Sequence, residues 1–258
     1  MSSLLDHLEA ITNAPRVEEL WALHIDEMAR RGFTRVLYGY TRYLSSQSFG
    51  DPQDWVMLTN HAPEYMARFL EDDLFRQAPM TRWALENSGA CSWSWLQEMN
   101  ATQGLTAAEL KVMEFNRKMG VTAGYTLSFK SVSERTKGAM ALTAAPGVSQ
   151  AEVDAIWARE GADLMVMNNV FHLKLLTLPW SGNRSLTKRQ IEVLQWVGDG
   201  KTTQDIAVIL GLTAATVEKH LRLAREALDV ETTAQAVLKA AFYNQMFVLE
   251  DVPQSSAI

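Results

Sequence analysis

The chain has 258 residues, 47% of them hydrophobic and 21% charged, with a net charge of −6 and one cysteine, Cys91. That length suits two domains or one large one, and the composition is that of a globular protein able to bury a sizeable core. One cysteine excludes an internal disulfide, no bilayer span or cleaved leader is expected from the apolar pattern, and the net charge speaks against meeting nucleic acid through overall positive charge, so a reducing, cytoplasmic setting is expected.

Leu4, Leu5, Leu8 and Ile11 recur at helical spacing, and Ser3–Ala14 reads as a short amphipathic helix. Pro15 opens a second helix, Val17–Arg31, with Leu20, Trp21, Leu23 and Met28 inward and Gly32 closing it. Phe33–Leu44 is rich in aromatic and β-branched residues and reads as a strand, Ser45–Asp54 as a loop or hairpin turn, and Trp55–Thr59 as a second strand. Pro63–Leu70 and Leu74–Glu86 read as helices, and Trp93–Met99 as partly helical. Thr106 with Glu109 forms a capping box for a helix running to Met119 and ending at Gly120. Val121–Lys130 and Gly138–Ala144 read as strands joined by Ser131–Lys137. Ser149 to about Leu178 is a long helix whose apolar stripe includes Val153, Trp157, Leu164, Met167, Phe171 and Leu175. The order α, β, α, β, β, α makes this part a sheet sandwiched by helices.

Pro179–Arg184 reads as a linker, and the stretch Leu186–Val237 beyond it carries the strongest pattern in the chain. Thr187 with Gln190 forms a capping box, Thr202 or Thr203 opens a second helix, and Thr213 a third; Gly200 and Gly211 sit where helices stop. Asp205–Leu210 and Thr213–Ala227 are thus two helices joined by a short turn, either a DNA-binding helix-turn-helix or a plain structural corner. The cations of this part, Lys188, Arg189, Lys201, Lys219, Arg222, Arg225 and Lys239, are matched in number by its acids. A basic face must therefore come from local clustering of Lys201, Lys219, His220 and Arg222. A fourth helix, Thr233–Val248, offers Ala236, Ala240 and Phe242 or Tyr243 for packing on its own domain or for a dimer contact, and 249–258 is a tail. The expected fold class is α+β: an αβα sandwich over 1–178 that, with nothing obviously catalytic, invites a sensing role, a linker at 179–184, and a small four-helix helix-turn-helix domain over 185–248.

Leu186-Thr187 with Arg189, Glu192-Val193-Leu194 with Trp196, Gly200-Lys201-Thr202, Asp205-Ile206-Ala207, Thr216-Val217 with Lys219-His220, and Gln235-Ala236-Val237 together resemble the C-terminal domain of LuxR-type transcriptional regulators. The resemblance covers about fifty residues. It implies that Lys201, Thr213, Thr216, Val217, Lys219, His220 and Arg222 contact duplex DNA with two-fold symmetry, as a homodimer, with Thr216 and Val217 facing the groove or the helix packing beneath it. Three departures stand out: Gln190 replaces an acid, Glu226-Ala227 replaces a Lys near the end of the recognition helix, and Glu231-Thr232-Thr233 lacks the usual cation. Each lost phosphate contact weakens binding at every sequence.

The same resemblance extends to the first domain, which in LuxR-type receptors binds N-acyl-homoserine lactones between sheet and helices. Pro79, Trp93 and Gly120 keep that family's anchoring positions and spacing. The acidic residue that accepts the ligand amide hydrogen is Ala78 here; the tryptophan donor falls at Tyr65, and a tyrosine falls at Phe69. His61, one turn before Tyr65, adds a polar tip. A buried amide hydrogen without an acceptor costs roughly 1–3 kcal/mol, so a substitute is expected among Asp72, Asp73, Thr126, Ser128 and Thr143, or else the ligand lacks the amide. On their own pattern Tyr65, Phe69, Trp83 and Trp93 are core aromatics, Asp72 and Asp73 solvated helix charges, and His61 a loop residue; the resemblance makes His61, Tyr65, Phe69, Ala78, Trp83, Trp93, Thr126 and Thr143 ligand-lining.

Catalysis is not expected. None of the five histidines stands in metal-ligand spacing, Cys91 has no neighbouring histidine, and Gly200-Lys201-Thr202 lacks the upstream glycine of a phosphate loop. Glu71, Asp72 and Asp73 point in different directions on a helix. No cofactor is expected beyond a small amphipathic signal, whose binding would fill an otherwise costly cavity and favour the DNA-competent dimer. Two alternatives remain: a receptor without a lactone signal, and a partner that has lost DNA binding and titrates a related regulator by heterodimerising.

Overall fold

The computed structural model describes residues 3–45, 48–180 and 184–246, and the chain divides into two units between Leu176 and Thr177. In the first unit, helices α1 (Leu4–Asn13) and α2 (Val17–Arg30) precede strand β1 (Arg35–Thr41) and, after a 3-10 turn, β2 (Val56–Thr59). Helices α3 (Pro63–Glu71), α4 (Leu74–Gln77) and α5 (Pro79–Glu86) lead to β3 (Gly89–Ser92), followed by α6 (Trp95–Thr102) and α7 (Ala107–Lys118). Strands β4 (Gly124–Ser128) and β5 (Lys137–Thr143) and the long helix α8 (Gln150–Leu175) complete the unit.

The strands form one antiparallel sheet in the order β2-β1-β5-β4-β3. Strand periodicity sends alternate side chains to opposite faces. Val36, Tyr38 and Tyr40 face α8, where the Tyr38 hydroxyl hydrogen-bonds His172 Nδ1 at 2.8 Å and Trp157 stacks on Tyr125 at 4.0 Å. α1 and α2 pack against α8, and His24 stacks on Phe171 at 4.2 Å. Leu37, Gly39 and Thr41 face the other way, toward α3, α5 and α7. Because helices cover both faces, every residue of β4 is buried, and its burial shows no alternation.

Several expected elements differ. The strand read over Phe33–Leu44 contracts to Arg35–Thr41, the stretch with ladder partners on β5, and that over Val121–Lys130 contracts to β4. Leu74–Glu86 is two helices: Ala78 is extended (φ −70°, ψ 124°), because the ring of Pro79 disfavours a helical residue before it. β3 was not expected at all. The long helix stops at Leu175.

The second unit holds α9 (Lys188–Gly198), α10 (Thr203–Leu210), α11 (Ala214–Leu228) and α12 (Thr233–Phe242). All four start at a threonine whose hydroxyl accepts a backbone N–H, at Thr187, Thr202, Thr213 and Thr232. The second helix is thus capped by Thr202, not Thr203. Val193, Leu194, Ile206, Val217, Leu221, Ala224 and Leu228 form one core with Ala236, Ala240 and Tyr243. Ala236, Ala240 and Tyr243 are therefore spent on their own unit, and only Phe242 of the four suggested dimer residues is exposed. Residues 181–183 of the expected linker, the end of the expected fourth helix at 247–248 and the tail at 249–258 lie outside the described residues.

Candidate functional site

Between the second face of the sheet and helices α3–α7 lies a cavity of about 560 Å³. Its floor explains its existence. Gly39 on β1 pairs with Ala139 on β5, Leu37 with Ala141, and Ala141 with Thr126 on β4. Gly39, Ala139, Ala141 and Thr126 of three strands thus fall together, with Leu37 and Met57 beside them, and their short side chains leave open the space beneath the helices.

The cavity has two unlike ends, because Thr143 pairs with Arg35 at one end of β5 and Lys137 with Thr41 at the other. Near Thr143 the lining is polar. Tyr65 donates its hydroxyl hydrogen to Asn116 Oδ1 at 3.0 Å, and its ring stacks between His61 at 4.7 Å and Phe115 at 5.3 Å. Burial raises the Tyr65 hydroxyl well above its usual pKa. Burial, helped by the nearby Arg35 charge, lowers His61 to about 4. Arg35 itself is occupied: its two Nη atoms donate to the carbonyls of Met119, Gly120 and Ala144. Trp93 Nε1 donates to Thr126 Oγ1 at 2.9 Å. A side chain at Gly124 would collide with the Leu142 carbonyl and the Trp93 indole, so glycine is what lets that ring lie across the strand. Gln150, in the first turn of α8, braces the same spot, accepting from Gly124 N at 2.9 Å and donating to Ser92 Oγ at 3.0 Å. Thr143 Oγ1 is buried with no partner among the described residues.

The far end is aromatic. Phe49, Trp55 and Phe75 meet edge to face with centroids 5.2–6.2 Å apart, and the Arg76 guanidinium lies 5.2 Å from the Phe75 ring. A polar pole and an apolar pole in one largely buried space is the arrangement that takes an amphipathic small molecule.

Of the residues expected to line a ligand, His61, Tyr65, Phe69, Ala78, Trp93, Thr126 and Thr143 do line this cavity. Trp83 does not; it sits half-buried on α5, which turns Ala84 inward instead. The substitute acceptors Asp72 and Asp73 are exposed and pair with Arg68 and Arg76. Ser128 donates to the carbonyls of Ala84 and Asn87 and is not part of the lining. Asn116, the small-residue floor and the Phe49–Trp55–Phe75 cluster were missed, although the alternation of Lys137, Ala139, Ala141 and Thr143 along β5 marks the floor.

In the second unit, α10 and α11 are joined through Gly211, whose left-handed backbone (φ 63°) ends α10, and Leu212 N bonds back to Ala207 O at 2.8 Å. Thr213 Oγ1 then accepts from Thr216 N at 3.2 Å and caps α11. Lys219 and Arg222 lie one turn apart on the exposed face of α11, and Lys201 is exposed before α10; Thr216 and His220 are half-buried. Val217 is 0% exposed and belongs to the core, so it cannot reach a groove. Acids share the outer face: Arg222 pairs with Glu226, and Glu218 accepts from Thr203 Oγ1 at 2.8 Å. Gln190, in place of an acid, still completes its capping box, accepting from Thr187 N at 2.8 Å.

A ligand-sized cavity in one unit and a helix-turn-helix in the other define a class, the transcriptional regulators that sense a small molecule. Residues 16–175 match the autoinducer binding domain, and residues 184–240 match the luxR family of bacterial regulatory proteins. The chain belongs to the LuxR family of regulators that carry an autoinducer binding domain. The transcriptional activator protein AnoR of Acinetobacter nosocomialis is 25% identical over 241 residues, 91% of this chain and 95% of that protein. The transcriptional activator protein LuxR of Aliivibrio fischeri is 24% identical, covering 72% of this chain and 73% of that protein. The crystal structure of an N-acylhomoserine lactone dependent LuxR family factor, CepR2 of Burkholderia cenocepacia, shares the fold at 17% identity and a TM-score of 0.51, over 67% of this chain and 93% of that one.

Proposed function

We propose that residues 1–178 bind an uncharged amphipathic signal in the cavity and that residues 185–248 bind a two-fold DNA site as part of a homodimer. The observation that carries the reading is the two-ended cavity, with a buried hydroxyl at its polar end that has no partner among the described residues. A space of this size left empty forfeits packing energy, and an occupant restores it while stabilising the folded sensor in proportion to its concentration. N-acyl-homoserine lactones fit the polarity: head near Thr143, tail toward Phe49, Trp55 and Phe75. On the DNA side, Lys219 and Arg222 serve phosphates or guanines, Lys201 a phosphate, and Thr213, Thr216 and His220 the groove rim. The chemistry is binding, with no reaction catalysed.

A second reading follows from Ala78, which offers no acceptor where the lining turns toward α5: the signal is amphipathic but not a lactone. Mass spectrometry of what copurifies with the chain, followed by thermal-shift titration with an acyl-lactone series, separates the two. Stabilisation by a lactone at micromolar concentration supports the first; stabilisation only by a copurified molecule of other chemistry supports the second. No response from a well-folded sample to either would refute the sensor role. A gel shift on two-fold DNA at low salt tests the other half, and no shift with or without the signal would refute DNA binding.

A further inference from the structure

A ligand head that carries a polar hydrogen needs an acceptor once water is excluded. The acceptors at the polar end of the cavity are mostly taken. Asn116 Oδ1 receives the Tyr65 hydroxyl, Thr126 Oγ1 receives the Trp93 indole, and the carbonyls of Met119, Gly120 and Ala144 receive Arg35. Among the described lining residues the only carboxylate is Glu114, which pairs with Arg117 and Lys118. Among the buried polar side chains described at this end, two stand without a side-chain hydrogen bond: the Thr143 hydroxyl and the ring of His61.

His61 is 7% exposed and lines the cavity. Its backbone N–H is fixed on Thr59 Oγ1 at 3.0 Å, and its ring lies nearly flat on Tyr65, tilted by 24°. Neither ring nitrogen has a hydrogen bond among the described residues. Burial and Arg35 keep the imidazole neutral at ordinary pH, so one nitrogen carries a hydrogen and the other a lone pair. The charged and titratable groups around it are Arg35 from β1 and Tyr65 from α3, and both are already bonded elsewhere.

We propose that His61 is the acceptor for the polar hydrogen of the signal, an amide N–H or a hydroxyl, while Thr143 donates to the signal's carbonyl oxygen from the strand beneath. This rests on the sensor reading and specifies how that site selects a head group. Two neutral groups grip a neutral head. The Arg35 Nη atoms are spent on three carbonyls, and the cations that line the cavity, Arg117 and Lys137, sit on Glu114 and on the Asn87 carbonyl.

The test uses the full chain and two matched probe pairs: N-decanoyl-homoserine lactone against its ester analogue with oxygen in place of N–H, and 2-hydroxyethyl decanoate against its methyl ether. Affinities are measured by calorimetry for the natural chain, His61→Phe, which keeps the stack and removes the acceptor, and His61→Gln, which restores one. In whichever pair binds, the hydrogen-bearing member should bind the natural chain at least tenfold tighter. That preference should vanish in His61→Phe and return in His61→Gln, the pattern of a direct pairwise coupling. A preference that survives in His61→Phe, or is absent from a natural chain that does bind, overturns the role of His61 and leaves the sensor reading standing. If no member of either pair binds a chain with an intact unfolding transition, the inference falls, while stabilisation by the copurified molecule still decides the sensor reading separately.

Discussion

Ala141→Leu tests the cavity most directly. Ala141 lies mid-strand on β5, between Leu37 and Thr126, with its side chain on the cavity floor. Leucine adds three carbons there. At about 0.8 kcal/mol per buried methylene, the empty sensor gains up to roughly 2 kcal/mol if the new side chain packs without strain. For a unit of this size 1 kcal/mol moves Tm by about 2–4 °C, so the unliganded variant should melt about 5 °C higher. A signal at a hundredfold excess over its Kd stabilises the natural chain by about 2.7 kcal/mol, a further shift of roughly 5–10 °C. In the variant the leucine stands where the ligand would lie, so that second shift should fall to about 1 °C or less. Thermal unfolding with and without the copurified signal reads both numbers. Equal ligand shifts in the two proteins would place the binding site elsewhere and refute the argument built on the floor.

Lys219→Ala should weaken DNA binding at every sequence and lower the slope of log affinity against log salt by about 1; a filter-binding series across salt concentrations checks it, and an unchanged slope contradicts a phosphate contact. Val217→Ala should behave oppositely, costing about 2 kcal/mol of stability through a core void while leaving that slope alone; urea unfolding followed by the same salt series decides. Acid should also destabilise the sensor. His24, lowered to about 3, and His61 and His172, each lowered to about 4, are held neutral mainly by burial. Above the ordinary histidine value of about 6.5 neither folded nor unfolded chain protonates them, so they contribute no pH dependence there. Below it the unfolded chain takes up protons that the folded chain cannot, so stability falls as pH drops from about 6.5 toward 4, by about 1 kcal/mol for each histidine at pH 5.5. Urea midpoints at pH 7.5 and 5.5 test this, and identical midpoints would mean the rings are solvated.

Legibility followed the strength of local signals. Capping boxes at Thr106–Glu109 and Thr187–Gln190 were readable because both partners lie within one turn, and the structure forms both. The small edge strand β3, Gly-Ala-Cys-Ser, was not readable: it has no β-branched or aromatic residue and exists through its pairing with β4. A motif gives spacing and leaves Val217 toward the groove or the packing beneath it, whereas only the helix orientation decides that Val217 turns inward and Lys219 outward. Trp83 failed for the same reason on α5. The lining residues carried by the resemblance came together, yet the partners that define their chemistry, Asn116 for Tyr65 and Thr126 for Trp93, are set by tertiary contacts 51 and 33 residues apart in sequence.

The ion pair between Arg222 and Glu226 bears on how the proposed DNA-binding surface would choose among sequences. A guanidinium already satisfied by its own helix gains little from a generic polyanion, because seating on phosphate means giving up the carboxylate first. Random duplex, which offers charge and nothing else, would therefore hold this helix poorly, and residence at a true operator would depend on base edges and on a second copy engaged alongside. The acid that weakens the grip would thereby sharpen the discrimination.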